Sequence, residues 1–249
     1  MIKLENFSKK YSIKDENFAV TNVSLTANDK CITGILGPNG AGKTTIIKAI
    51  CSFHYPTSGN VFVTDKDNNK IDCSACQDLS RNQIGYVPEI TNLPNSLTVA
   101  EYLEQIALNH NILTQKIPEL IKKVAKDFSL KEVLQKKIKT LSKGYKQRTS
   151  FAGALIYNPQ NIILDEPVNG LDPAQIIQFR KLIKDASSKA AVLISTHLMQ
   201  EVEALCDYIY IINNGSIQIE GTKEQIIKKT NCNNIEEAFL KVTGQSDEK

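Results

Sequence analysis

Cys31-Ile32-Thr33-Gly34-Ile35-Leu36 runs into Gly37-Pro38-Asn39-Gly40-Ala41-Gly42-Lys43-Thr44-Thr45, and that stretch into Ile46-Ile47-Lys48-Ala49-Ile50. The order is apolar strand, glycine-rich turn, helix, which is the context a phosphate-binding loop requires. Glycines let the backbone curl with its N–H groups turned inward, and the start of the helix adds the positive end of a dipole. In that arrangement Lys43 reaches the terminal phosphates and the Thr44 hydroxyl ligates Mg²⁺. A glycine-rich turn can match part of this pattern by chance. Here every defining position is present, with a strand before it and a helix after. The stretch predicts an α/β fold that binds a nucleoside triphosphate.

Length and charge are compatible with that reading and narrow it little. A chain of 249 residues suits one large α/β domain with a subdomain and can bury a sizeable core. A net charge of +3 is too mild to argue for nucleic acid, and none is expected as a partner. No apolar run approaches the ~20 residues that span a bilayer. The opening Met1-Ile2-Lys3-Leu4-Glu5-Asn6 lacks the apolar core of a signal peptide. The expectation is a soluble protein whose role at a membrane, if any, needs a partner. The cysteines at 31, 51, 73, 76, 206 and 232 fall largely in apolar segments and suggest buried thiols in a reducing cytoplasm. Cys73 and Cys76 make a CxxC, but no second pair at metal spacing follows, which favours two incidental thiols over zinc or redox chemistry.

The first third reads as β-rich, with strands near 2–7, 18–25, 31–36, 60–65 and 84–87, and the region around Cys73 and Cys76 reads as a polar insertion. After Pro94-Asn95 the character turns helical. Thr98 and Glu101 stand at capping-box spacing, with Leu103, Ile106 and Ala107 on one face. A second helix is expected over 118–128, with Leu120, Ile121, Val124 and Phe128 inward. The lysines at 122, 123, 126, 131, 136, 137 and 139 read as a solvated face, with a surface near anionic lipid as the alternative. From about 160 strand and helix alternate: 161–164, 173–187, 191–195, 198–206. Asn214-Gly215 marks a hairpin, and short helices near 223–229 and 235–242 follow. The layout is one domain over 1–249, with a helical subdomain at about 95–158 and a helical tail at about 222–249.

Three further segments carry chemistry. Ile162-Ile163-Leu164-Asp165-Glu166 is an apolar strand ending in two carboxylates. Asp165 is placed to hold Mg²⁺, and Glu166, one residue on, to orient or deprotonate a water. His197 follows the apolar Ala191-Val192-Leu193-Ile194, on the edge where open α/β sheets bind ligands, and can contact the γ-phosphate. Leu141-Ser142-Lys143-Gly144-Tyr145 opens a helix expected over 143–157, so Ser142 and the first N–H groups form a second anion-binding end. With one phosphate loop already present, that second end suggests a second subunit facing it.

Taken in order, these segments make the chain resemble the nucleotide-binding subunit of an ABC (ATP-binding cassette) transporter over nearly its whole length. The resemblance implies a phosphate-loop ATPase core with an N-terminal antiparallel β-subdomain and an inserted α-helical subdomain. It assigns Tyr11 to the aromatic that stacks on adenine. Residues Gly37, Pro38, Asn39, Gly40, Ala41, Gly42, Lys43, Thr44 and Thr45 become the Walker A loop, and Leu141–Tyr145 the signature motif. Asp165 and Glu166 then end Walker B, Leu171 and Asp172 lie in the D-loop, and His197 is the switch histidine. The implied cofactors are ATP and Mg²⁺. Implied partners are a second copy, head to tail, with ATP between Walker A of one and the signature of the other, with Ser142 and Gly144 facing phosphate, and a separately encoded permease; Asp172 is counted among the nucleotide-binding residues. The expected location is the cytoplasmic side of the cell membrane, peripherally bound.

Two motifs depart from the family's common pattern: in the signature Lys143 and Tyr145 replace glycine and glutamine, and Glu89 replaces the Q-loop glutamine, where its carboxylate can still approach Mg²⁺. With the C-terminal 235–244 segment, these variants resemble the ABC-2 export branch. The alternatives are an import ATPase, a soluble cassette such as the one in iron–sulfur cluster assembly, and a non-hydrolysing ATP clamp, against which Glu166 argues. The permease is expected to dock around Glu89–Tyr102. There Ile90, Leu93 and Leu97 are apolar residues in a polar loop, and the alternative is that they tuck into the helical core.

Overall fold

The computed structural model describes residues 1–12 and 17–244. Strands β1 (Ile2–Lys9), β2 (Val20–Ala27), β4 (Ser58–Thr64) and β5 (Lys70–Asp72) form an antiparallel sheet in the order β2-β1-β4-β5. Strands β3 (Ile32–Leu36), β6 (Ile84–Val87), β7 (Asn161–Asp165), β8 (Ala191–Thr196), β9 (Tyr208–Asn213) and β10 (Ser216–Gly221) form a second sheet in the order β10-β9-β3-β8-β7-β6. In that sheet β9, β3, β8, β7 and β6 are parallel, and β10 folds back antiparallel on β9. Asn214 and Gly215 turn that hairpin with φ of 47° and 73°, the positive pair a type I′ turn needs.

Strands covered on both faces read as continuous apolar runs, and their side chains still alternate between layers. Ile162, Leu164, Val192 and Ile194 enter one core, while Ile163 and Leu193 enter another with Ile35 and the antiparallel sheet. The second core also holds Ile46, Ile47 and Ile50 of α1 (Lys43–Ile50), so the helix that follows the glycine-rich loop is wedged between the two sheets. The first core joins the parallel sheet to α3 (Val99–Asn109), α4 (Ile117–Asp127), α5 (Lys143–Leu155) and α6 (Pro173–Ser187). A third packs α7 (Met199–Leu205), α8 (Lys223–Thr230) and α9 (Ile235–Thr243) against β9.

Local chemistry sets the helix ends. Thr98 and Glu101 form the expected capping box on α3, Asp172 caps α6 ahead of Pro173, and Thr222 with Gln225 boxes α8. The structure departs from the sequence reading in two places. The stretch read as a polar insertion contains β5 and α2 (Gln77–Asn82), and Cys73 is buried beneath them. Burial pushes the Cys73 thiol up to about 12, so it stays protonated and makes a poor metal ligand or redox nucleophile. The second departure is that Leu93 and Leu97 pack against the helical core, and of the three apolar residues in that loop Ile90 stands out, 69% exposed. Residues 245–249 of the expected tail lie outside the described residues.

The C-terminal end of α5 lies directly on β6. A Cβ at Gly85 would fall 2.4 Å from the Ala154 carbonyl oxygen. Gly85→Ala is therefore expected to lower stability by about 1–3 kcal/mol through overpacking, read as a reduced midpoint in urea unfolding with an unchanged m-value.

Candidate active site

The parallel strands deliver their functional residues to one edge. β3 ends at the glycine-rich loop, β7 at Asp165, β8 just before His197, and β8 lies between the other two. A cleft of about 410 Å³ opens there, lined by Asn39–Thr45, Glu89, Glu166, Asn169, His197 and Ala19. A larger hollow of about 740 Å³ lies among α4, α5 and α6 around Phe128, Leu155 and Leu182. It holds none of the loop, carboxylate or histidine groups, so volume alone does not locate the chemistry.

The loop is built to leave donors open. Gly42 precedes α1 with φ of 104°, a left-handed conformation that L side chains rarely adopt. The helix has no side-chain cap and no acid in its first turn, so its leading N–H groups face the cleft unneutralised. Lys43 is 7% exposed, and its Nζ donates to the carbonyls of Gly37 at 2.7 Å and Pro38 at 3.1 Å. Gly37 and Pro38 thus act through their carbonyls, holding the lysine over the loop. Burial lowers the Lys43 pKa, and Glu166 followed by Asp165 opposes that shift.

Glu166 sits between two partners. Its Oε1 is 3.7 Å from Lys43 Nζ, and its Oε2 accepts from His197 Nδ1 at 2.9 Å. The backbone of Glu166 has φ of 47°, held by its N–H donating to the Ser195 carbonyl at 3.0 Å. Such a conformation costs about 1–3 kcal/mol in a non-glycine residue and persists where the surroundings over-determine it. It turns the carboxylate away from the strand and toward the loop. Asp165, one residue earlier, is buried and accepts from the Ser195 hydroxyl. Burial raises its pKa, the Ser195 bond opposes this, and Glu166 and Glu89 add like charge. A buried carboxylate surrounded by negative charge is relieved by a divalent cation.

The donor set therefore fits Mg²⁺. Asp165, the Thr44 hydroxyl and Glu89 would hold it, with phosphate and water completing the shell, since Mg²⁺ takes few protein ligands. Among the described residues no group of three or more His, Cys, Asp or Glu could hold a metal ion by itself.

Some site residues were not foreseen. Asn169 Nδ2 donates to Glu89 Oε1 at 3.2 Å. Buried Gln147, in α5, accepts from the Thr91 hydroxyl at 2.5 Å and donates to the Pro167 carbonyl at 3.1 Å. Gln147 lay just past the Leu141–Tyr145 stretch, which was the available signal.

Other expected residues lie outside the cleft. The Tyr11 hydroxyl hydrogen-bonds Thr45 Oγ1 at 3.0 Å, with a largely exposed ring. Ser142 and Asp172 are spent locally as caps, accepting from Tyr145 N–H at 3.4 Å and Gln175 N–H at 2.9 Å. A Cβ at Gly144 would meet the Gln175 side chain at 2.6 Å, so this glycine also lets α5 approach α6.

A phosphate loop, a strand-end carboxylate pair and a histidine on the same sheet edge define a nucleoside-triphosphate-hydrolysing cassette. Comparison with known proteins is consistent with this class. The family described as ABC transporter matches residues 20–169, and the chain belongs to that family as an ABC-type ATPase domain. It is 34% identical over 221 residues to the cholesterol transporter ABCA5 of Rattus norvegicus, covering 88% of this chain but spanning 13% of that protein's length. It is 31% identical to the lipopolysaccharide export system ATP-binding protein LptB of Haemophilus influenzae, over 91% of this chain and 92% of the relative. Among solved structures it is similar to the ATP-binding cassette MJ0796, a dimer in a post-hydrolysis state bound to ADP and Pi. That match has 27% identity and a TM-score of 0.77 over 89% of this chain and 98% of the other.

Lys43→Ala removes the ammonium that the loop carbonyls hold in place. Charged hydrogen bonds of this kind are worth about 1.5–3 kcal/mol, so ATP affinity should fall by about tenfold to hundredfold or more, with ATPase turnover lost. Titration calorimetry and phosphate release measure both, and wild-type values in the variant would disprove the loop assignment.

Proposed function

We propose that this chain is the ATP-hydrolysing subunit of an export transporter, working as a homodimer docked on a separately encoded permease at the cytoplasmic face of the membrane. The observation that carries the hydrolytic part is Glu166, strained in backbone and held between Lys43 and His197 at the mouth of the phosphate loop. In this reading ATP lays its phosphates on the open N–H groups of the loop, and Lys43 exchanges its carbonyl partners for the β- and γ-phosphate oxygens. Glu166 accepts a proton from a water as its oxygen attacks the γ-phosphorus. The bond from that phosphorus to the bridging oxygen breaks, giving ADP and phosphate. His197, fixed by its Nδ1–H bond to Glu166, directs Nε2 toward the transferring group. Mg²⁺ held by Asp165, Thr44 and Glu89 supplies charge neutralisation at the phosphates.

The dimer reading rests on what the cleft lacks. Ser142, Gly144 and Asp172 lie outside it, and Ser142 is exposed at the open end of α5. A second copy in the opposite orientation would bring that end onto the nucleotide. Export is favoured by the similarity to LptB, the ATP-binding protein of a lipopolysaccharide export system, and by the Lys143 and Glu89 variants.

Glu166→Gln keeps the shape and removes the base, so hydrolysis should slow by about 10²–10⁴ while ATP binding persists. The ATP-bound variant should then run as a dimer in light scattering. Normal hydrolysis rules out Glu166 as the base, and a monomer under saturating ATP rules out the composite site.

For the permease contact, the packing of Leu93 and Leu97 leaves Ile90 as the apolar residue on display. Ile90→Asp should fold and hydrolyse ATP like the wild type yet shift from the membrane to the soluble fraction on cell fractionation. Retention with the membranes would place the docking surface elsewhere.

A further inference from the structure

His54 lies in the connection between α1 and β4, outside the cleft lining. That connection is fastened to the end of β1: Lys9 Nζ donates to the Tyr55 carbonyl at 2.7 Å, and Thr57 N–H to the Ser8 carbonyl at 2.9 Å. The fastening brings the His54 ring against Tyr11, centroids 5.7 Å apart and planes at 85°, an edge-to-face pair. Tyr11 is pinned at a second point by its hydroxyl bond to Thr45 in α1, and Lys9 Nζ lies 5.7 Å from its ring centroid. The ring nonetheless stays 60% exposed.

Both ring nitrogens of His54 are buried and neither makes a well-formed hydrogen bond. Burial, and then Lys9, hold its pKa below the usual imidazole range, so the ring is neutral at pH 7. Buried ring nitrogens without well-formed hydrogen bonds are costly in a half-buried side chain, where an aliphatic one would fill the space without the penalty. What the imidazole provides is a flat, rigid aromatic contact for the tyrosine.

We propose that His54 is a positioning residue for base recognition, holding Tyr11 in the orientation that receives a nucleobase. This rests on the assignment of Tyr11 to the adenine given above. Two ligands separate contact with the base from contact with the phosphates: Mg–ATP carries both, and Mg–tripolyphosphate carries the phosphates alone.

In titration calorimetry on the full chain, His54→Ala should raise the Kd for Mg–ATP about twofold to tenfold, the worth of one aromatic pair, and leave the Kd for Mg–tripolyphosphate unchanged. His54→Phe, which keeps a flat ring and has no nitrogens, should restore ATP affinity. In a Tyr11→Ala background His54→Ala should have no further effect. Equal loss for both ligands would overturn the proposal, because His54 would then be propping α1 and the phosphate loop. An unchanged ATP affinity in His54→Ala, no rescue by phenylalanine, or full additivity with Tyr11→Ala would overturn it too. If Tyr11→Ala itself keeps wild-type ATP affinity, the base assignment of Tyr11 fails first and takes the His54 role with it. If Tyr11→Ala loses affinity while His54→Ala does not, the His54 role alone falls.

Discussion

The contact between Lys43 and Glu166 ties the glycine-rich loop to the end of β7 across the intervening β8. Both groups are almost wholly buried, and a charge in that position is tolerable only with partners. Lys43 finds two carbonyls and a carboxylate, and Glu166 finds an ammonium and an imidazole N–H. The strand order makes this possible. Because β3, β8 and β7 are neighbours and parallel, their ends are separated by sheet spacings of about 5 Å, within reach of lysine and glutamate side chains. A triphosphate entering the cleft then replaces partners Lys43 already has, in a site whose donors need little reorganisation.

Much of this was legible because the signals are local. The strand-turn-helix around Gly37–Thr45 predicts its own geometry, and the start of α6 follows from Asp172-Pro173, a cap and a first-turn proline that act within four residues. Capping of α3 by Thr98 and Glu101 is local in the same sense. The remainder was not legible because it depends on contacts distant in sequence. Lys70-Ile71-Asp72 has no apolar run of its own and becomes a strand by pairing with β4. Leu93 and Leu97 look displayed in a polar loop, and their burial depends on the packing of the helical insert. The Glu166 conformation is fixed by a hydrogen bond to Ser195, which no pattern around residues 162–166 announces.

Gln147 gives the helical insert a polar connection to the loop that follows β7. It is buried in α5, bonded on one side to Thr91, next to exposed Ile90, and on the other to Pro167, next to Glu166. A buried amide satisfied by two separate segments fixes their relative position, since shifting either leaves a donor or acceptor unpaired. Displacement of the loop around Ile90 therefore has a physical cost at Pro167, the residue beside Glu166.

The two departures from the family's common pattern meet at the same short loop. Glu89 accepts from Asn169, while the Lys143 ammonium lies against Gly170, where an added Cβ would come within 2.2 Å of Nζ. A glutamine at position 89 could accept the same Asn169 bond through its amide oxygen, so the bond does not require a carboxylate. What Glu89 adds is charge, and it adds it beside Asp165, whose pKa it helps raise. Lys143 places a cation at the following residue of the loop, at the first position of α5, where the helix dipole disfavours positive charge. Each substitution alone is electrostatically unfavourable in its own element. Set against the adjacent residues Asn169 and Gly170 of one loop, they bring opposite charges to the segment that leads to Asp172, where the common pattern has neutral side chains.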